Sequence, residues 1–361
     1  MDPPAGPAGR RVIAKIRRVV LPALAGGVLG TILVVYFQRG FIPGDSFTYL
    51  AAGERLNAGH SLYALVPGDR PVDMHPPLWT VPFLSPPPMG VLVRPFALLP
   101  GDTGAYALWA TFLLAIGSVL VALGRRRPAT TSIAVIVLSI PLAYEIGVGN
   151  VNGLLIAAAV GCWLLVRDGR AAIAGPLAAV MVAVKLTPLP VGAWVVGTGG
   201  RRGFGGFVAG LVVVGVISLL GAGLQAHLDY LDVARATATT GLSPLSPGDL
   251  ARMAGFPDPI PSLIPTTLLL GGTLLAWILA GHGRPAAGFC VALVAWTFGS
   301  PVVNINTPTL LLALLAPVAW PWRRGGGAAI RRSRAEGPGA GGPGGQDRAP
   351  GGAPKAPPEK A

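Results

Sequence analysis

The sequence predicts an all-α, polytopic membrane protein of about ten to eleven transmembrane helices, with outer-side loops and short interfacial helices. Three observations carry that prediction. Apolar runs of membrane-spanning length recur between Val19 and Trp322, with charges confined to the gaps between them. Hydrophobic residues make up 52% of the 361 residues and charged residues only 12%, against about 25% charged in a soluble domain. The net charge of +13 is concentrated at the two ends of the chain instead of on a folded polar face.

These observations also exclude several classes. Glycine (52) and proline (37) are abundant, yet general disorder requires a chain poor in apolar residues. Basic residues gathered at the termini do not form a nucleic-acid footprint, so no nucleic-acid partner is expected. Cys162 and Cys290 both lie inside apolar runs, which offers neither a disulfide framework nor a zinc cluster. No carboxylate cluster has metal-ligand spacing, and no metal site is expected.

The chain divides into a basic N-terminus (1–18), a membrane-embedded domain (19–322) and a basic Gly/Pro-rich tail (323–361). Arg10, Arg11, Lys15, Arg17 and Arg18 precede the first apolar run, Val19 to Phe37, which reads as a retained helix because no small-residue cleavage site clearly follows. The tail cannot bury a core and reads as disordered. Both flanks are basic, so the positive-inside rule places both termini in the cytoplasm and requires an even number of crossings of a plasma membrane. An outer loop at about 38–78 follows the first helix, and Pro-rich apolar sequence then runs to Leu99. Spans are expected near 105–124, 130–148 and 151–167, with inner turns at Arg125-Arg126-Arg127 and at Arg167 and Arg170. The run 171–198 is interrupted by Lys185-Leu-Thr-Pro188, which predicts two short helices meeting at the outer surface. Arg201 and Arg202 return to the cytoplasm, and spans near 203–224, 260–281, 285–300 and 304–321 flank a second outer loop at about 225–259. Without 79–99 the crossings number about ten, which satisfies the parity. That stretch, with Pro82, Pro86, Pro87, Pro88, Arg94 and Pro95, is either an eleventh span or a re-entrant hairpin of the kind tolerated only where backbone is buried or lines a wet cavity.

Several residues suit chemistry. Pro43-Gly-Asp-Ser-Phe-Thr-Tyr49 opens a short amphipathic helix on the membrane surface, ending near Asn57-Ala-Gly59. Asp45 there is either a helix cap or a carboxylate placed to take a proton from a bound hydroxyl. His75, where the chain re-enters the membrane, is a loop residue or a donor to a phosphate or sugar hydroxyl. Gly149-Asn150-Val151-Asn152-Gly153 has turn chemistry. Lys185 is an ammonium in an apolar run, an arrangement that marks functional sites; it either snorkels to the interface, pairs with an anionic head group or pairs with Glu145.

In order along the chain, Asp45-Ser-Phe-Thr-Tyr49, Gly59-His-Ser-Leu-Tyr63, His75-Pro-Pro77, Pro95-Phe-Ala-Leu-Leu-Pro100 before Trp109, Gly149-Asn-Val-Asn152, Lys185-Leu-Thr-Pro188 and Ser300-Pro301 resemble the GT-C membrane glycosyltransferases. Within them they resemble glycosyltransferase family 87, the polyprenyl-phosphate-mannose-dependent α-mannosyltransferases, over about residues 20 to 320. The resemblance implies a GT-C-like fold and an inverting transfer of a hexose, mannose by inheritance, from a polyprenyl-phosphate sugar to an envelope glycolipid or polysaccharide. It implies an extracytoplasmic site, no cofactor beyond the lipid-linked sugar as co-substrate, and membrane lipids as surroundings. Asp45 would be the catalytic base, with Lys185, Arg94 and His75 at the donor phosphate and Asn150, Asn152, Asn304 and Asn306 at the sugar. The chain departs from many relatives in having Asn150 where Gln is common, and Val302-Val-Asn-Ile-Asn306 where tryptophan and histidines follow the Ser-Pro element. Two other classes fit the composition: a transporter or lipid flippase, which would show internal repeats, and a catalytically inactive GT-C-like scaffold.

Overall fold

The structure is a computed structural model that describes residues 15–40, 42–69, 83–239, 245–300 and 302–322. His75, Pro301, the basic N-terminus up to residue 14 and the tail from residue 323 lie outside the described residues. Every regular element among the described residues is helical, in keeping with a sequence whose apolar runs have no strand-like alternation.

After a short wide turn at Ile16–Val20, α1 (Leu21–Gln38) is the first long apolar helix. The α2 helix (Gly44–Asn57) ends where expected, with Gly59 at φ +74° completing the exit. It is not an exposed amphipathic helix: Ser46, Thr48, Tyr49, Leu50, Ala51, Ala52 and Arg55 are all buried within the protein. Small residues explain the difference, because a Cβ on Gly53 would stand 3.1 Å from the Ala97 methyl and 3.2 Å from the Val93 carbonyl. The following segment packs directly against the helix backbone.

That segment contains α3 (Pro87–Val93) and a tight turn at Phe96–Leu98. Seven residues rise only about 10 Å, so within the described residues 83–99 is a broken element and not an eleventh span. Next come α4 (Thr103–Arg126), α5 (Pro128–Val137), α6 (Ser139–Val148), α7 (Asn152–Arg167) and α8 (Ala171–Val184). The expected single span 130–148 is bent by 75° between α5 and α6. Pro141 accounts for the break, since it cannot donate to the carbonyl four residues earlier and its ring crowds that carbonyl.

The run α9 (Leu189–Thr239) is a hairpin of helices, broken at Gly200 (φ 55°, ψ −140°) and again at Gly223 (φ 77°, ψ 166°). A Cβ on Gly203 would meet the Val195 carbonyl at 2.7 Å, and one on Gly192 would meet the Phe207 ring at 2.8 Å. The two legs therefore run antiparallel in close contact. Beyond Gly223 the chain stays helical to Thr239, so the loop expected at 225–259 is largely structured. Gln225 donates to Asp229 at 2.6 Å and Arg235 to Asp232 at 3.0 Å, pairs at helical spacing that support such a polar extension. The described chain closes with α10 (Pro247–Met253), capped by the Ser246 hydroxyl accepting from the Asp249 amide at 3.0 Å, then α11 (Ile260–Gly281), α12 (Pro285–Phe298), a 3₁₀ segment (Thr307–Leu314) and α13 (Leu315–Ala319).

Among the described residues four helical runs are long and apolar enough to cross a membrane, or five when the bent α5–α6 pair is counted as one span. The other expected spans, including 151–167, 285–300 and 304–321, are helices of 10–17 residues, short of the roughly 20 that a hydrocarbon core requires. Breaks at Leu138, Lys185, Gly200 and Asn304–Asn306 divide the apolar sequence into shorter pieces, the first of them inside a run that reads as continuous.

Candidate functional site

Two of these breaks, at Lys185 and at Asn304–Asn306, meet at the turn that follows α6. They bring polar side chains into an otherwise apolar body, a pattern compatible with membrane depth only when the polar groups satisfy one another. At the C-terminus of α6, Gly149 adopts φ +67° and stops the helix. Asn150 and Val151 turn the chain into α7. The Asn150 Oδ1 accepts from the backbone N–H of Asn152 at 2.9 Å, and its Nδ2 donates to Asp45 Oδ2 at 2.5 Å. Two residues 105 apart in sequence are thereby joined.

Asp45 sits in the first turn of α2, one residue past its start and not at the capping position, which Pro43 occupies. Its neighbour Ser46 is fully buried and donates its hydroxyl to the Gly149 carbonyl at 2.8 Å. These two bonds clamp the start of α2 onto the Gly149-Asn150 turn. A carboxylate at the start of a helix also gains from the positive end of the helix dipole. Asp45 is half-buried, and so accessible from one side.

Behind the turn lies Glu145, 2% exposed. It accepts from the Gly153 amide at 3.0 Å on Oε1, and from Asn152 Nδ2 at 3.2 Å and Asn306 Nδ2 at 2.7 Å on Oε2. Lys185, released from α8 into extended conformation at φ −152°, ψ 120°, donates to Asn152 Oδ1 at 3.0 Å. The ammonium therefore reaches Glu145 through an amide. Beside it the Thr187 hydroxyl accepts from Trp296 Nε1 at 3.1 Å, fixing the interrupted segment against α12. On the other flank of the turn, Trp109 Nε1 donates to the Ile146 carbonyl at 2.7 Å.

Of the residues expected to act, Asp45, Asn150, Asn152, Lys185 and Asn306 thus join one connected network. Asn304 is exposed two residues before Asn306. Arg94 stands elsewhere: it bonds Asn57 through Nε at 2.8 Å and the Gly221 carbonyl through Nη1 at 3.0 Å, tying α2 and the second leg of α9 to the α3 segment. Glu145 and Ser46 were not among the expected site residues. The signal for Glu145 was an acid in an apolar run four residues before Gly149; Ser46 reads from its local sequence only as a helix-capping type. Among the described residues no group of three or more His, Cys, Asp or Glu side chains is arranged to hold a metal.

An all-helical membrane body whose helix breaks gather a half-exposed carboxylate and an ammonium into one polar cluster defines a polytopic membrane protein with a built polar site. The model of glycosyltransferase family 87 matches residues 83–304, more than half of the chain, and the chain belongs to that family. Glycosyltransferase activity, with a sugar donor and an acceptor, is what membership supports. The matched region includes Arg94, Glu145, Asn150, Asn152, Lys185 and Asn304 and begins after Asp45. No match was found among curated proteins or among solved structures.

Proposed function

We propose that the protein is an inverting hexosyltransferase that moves mannose from a polyprenyl-phosphate donor to an envelope glycolipid or polysaccharide at the outer face of the plasma membrane. The observation that carries the reading is the linkage of Asp45 to Lys185 through Asn150 and Asn152. It puts a potential proton acceptor and a fixed positive charge at opposite ends of one short polar chain. In the reaction, an acceptor hydroxyl oxygen attacks the anomeric carbon as the bond from that carbon to the phosphate oxygen breaks. Asp45 takes the hydroxyl proton, and polyprenyl phosphate departs with the bonding pair. Positive charge aimed at the departing phosphate is the electrostatic stabilisation that lowers such barriers most, and Lys185 supplies it. No cofactor is required beyond the lipid-linked sugar.

The exposed Asn304 and half-buried Asn150 suit contact with sugar hydroxyls, whereas Asn152 and Asn306, 1% and 3% exposed, act through the groups they hold. Arg94 braces the α3 segment that flanks the site, and His75 remains assigned to the donor phosphate by resemblance alone. The test supplies the purified protein in nanodiscs with radiolabelled polyprenyl-phosphate mannose and an envelope glycolipid extract. Wild type transfers label, and Asp45→Asn, still folded, loses about 10²–10⁴-fold in rate, the usual contribution of a positioned base. Equal transfer by both proteins removes Asp45 as the base. Absence of transfer by the wild type removes this donor.

A further inference from the structure

Glu145 is a buried carboxylate that the reaction above does not use. Such a group is costly in apolar surroundings unless donors satisfy it, and here three do. They come from different places: the Gly153 amide opens α7, Asn152 follows the 149–151 turn, and Asn306 precedes the 3₁₀ segment, 161 residues away. Asn152 in turn has both ends of its amide occupied, the nitrogen by Glu145 and the oxygen by Lys185. The reverse orientation of that amide would put its NH₂ against the ammonium and its oxygen against the carboxylate. Glu145 therefore determines which end of Asn152 faces Lys185. An ammonium has three N–H donors, and among the described residues Asn152 takes one. The others remain for a ligand.

We infer that Glu145 is a positioning residue: through Asn152 it holds the Lys185 ammonium in place for a phosphate head group that Glu145 itself never touches. This rests on the reading that Lys185 faces the donor phosphate. A flexible four-carbon stem would otherwise let the ammonium wander, and a fixed point charge binds an oxyanion better than a mobile one.

The experiment measures binding and needs no turnover. The full chain in nanodiscs is titrated with a polyprenyl phosphate and, as control, with the uncharged polyprenol. Wild type should prefer the phosphate. Glu145→Gln should weaken the phosphate by about tenfold in Kd and leave polyprenol unchanged. Lys185→Gln should weaken it at least as much, and the double variant should be no weaker than Lys185→Gln alone, because residues acting through one another are non-additive. Losses that add, or a Glu145→Gln protein that binds the phosphate as wild type does, overturn the inference. If Glu145→Gln does not fold, Asn152→Ala cuts the link while leaving Glu145 its bonds from Gly153 and Asn306. Full phosphate affinity in that variant overturns the inference equally. A wild type that does not distinguish phosphate from polyprenol overturns the donor reading and this inference with it, which separates the two failures.

Discussion

Asp45 illustrates how a residue acquires a role from a partner far away in sequence. Its carboxylate is placed by the start of α2, but its direction is set by the Asn150 amide, whose own oxygen is pinned by the Asn152 backbone. Asn150→Ala leaves the carboxylate and removes the group that aims it. The expected result is a folded protein whose kcat falls about 10–100-fold, the range over which a misplaced reacting group costs rate, with a smaller change in KM. Steady-state kinetics against the Asp45→Asn variant check it; a kcat equal to wild type shows that Asn150 does not orient the carboxylate. At this scale the sequence was informative where a polar residue interrupts apolar sequence. Lys185 stood out for that reason, Asn150 and Asn152 as turn formers between two apolar runs, and Asp45 as a carboxylate at the start of a short helix in the first loop. The bond from Asn306 to Glu145 did not, because 161 intervening residues carry no local sign of contact. The family resemblance assigns Arg94 to the donor phosphate, and its guanidinium bonds Asn57 and the Gly221 carbonyl. Only folding brings those two groups to it.

Among the elements, the 149–151 turn does the joining. A Cβ on Gly149 would lie 2.4 Å from the Ser46 hydroxyl oxygen and 3.0 Å from the Trp109 ring, at a φ of +67°. Left-handed backbone costs an L-residue about 1–2 kcal/mol, and here the new methyl also displaces the hydroxyl that bonds the Gly149 carbonyl. Gly149→Ala should therefore lower the thermal midpoint in detergent and reduce transfer together, while Gly169→Ala, at φ +79° with nothing near it, bears the backbone cost alone. Equal destabilisation by the two would show that the clamp between α2 and the turn contributes little. The interruption at Lys185 to Pro188 and the turn before Arg201 were legible because a charge or a proline breaks hydropathy visibly. The bend at Leu138 was not, since Pro141 is itself apolar enough to leave the run looking continuous. Burial of α2 was equally hidden: its sequence has the composition of an interfacial helix, and only the approach of Val93 and Ala97 to Gly53 shows that protein covers it.

The whole molecule has two chemically distinct ends. At one are Asp45, the 149–151 turn, Lys185, Asn306 and the Arg94–Gly221 brace. At the other, α4 ends at Arg125 and Arg126, α7 at Arg167, the α9 hairpin turns at Gly200 before Arg201, and α11 and α12 meet at His282 to Arg284. Aromatic packing locks this basic end: Trp163 stacks on Trp194 at 5.8 Å, both touch Phe289, and their indole N–H groups donate to the Trp320 and Pro285 carbonyls. Arg127 adds a bond to the Val318 carbonyl at 3.2 Å. The positive-inside rule expects basic turns on the cytoplasmic side, and on that expectation the polar network would face outward. The orientation is testable with an impermeant thiol reagent on intact cells. Ala64→Cys lies in the exposed loop after α2, and His282→Cys in the exposed turn before α12; both are made with Cys162→Ala and Cys290→Ala so that only the introduced thiol reports. Ala64→Cys should label in intact cells and His282→Cys only after permeabilisation. The opposite pattern would put the site in the cytoplasm, where a nucleotide-linked sugar could reach it, and labelling of both from one side would mean that the basic turns and the polar network do not face opposite compartments.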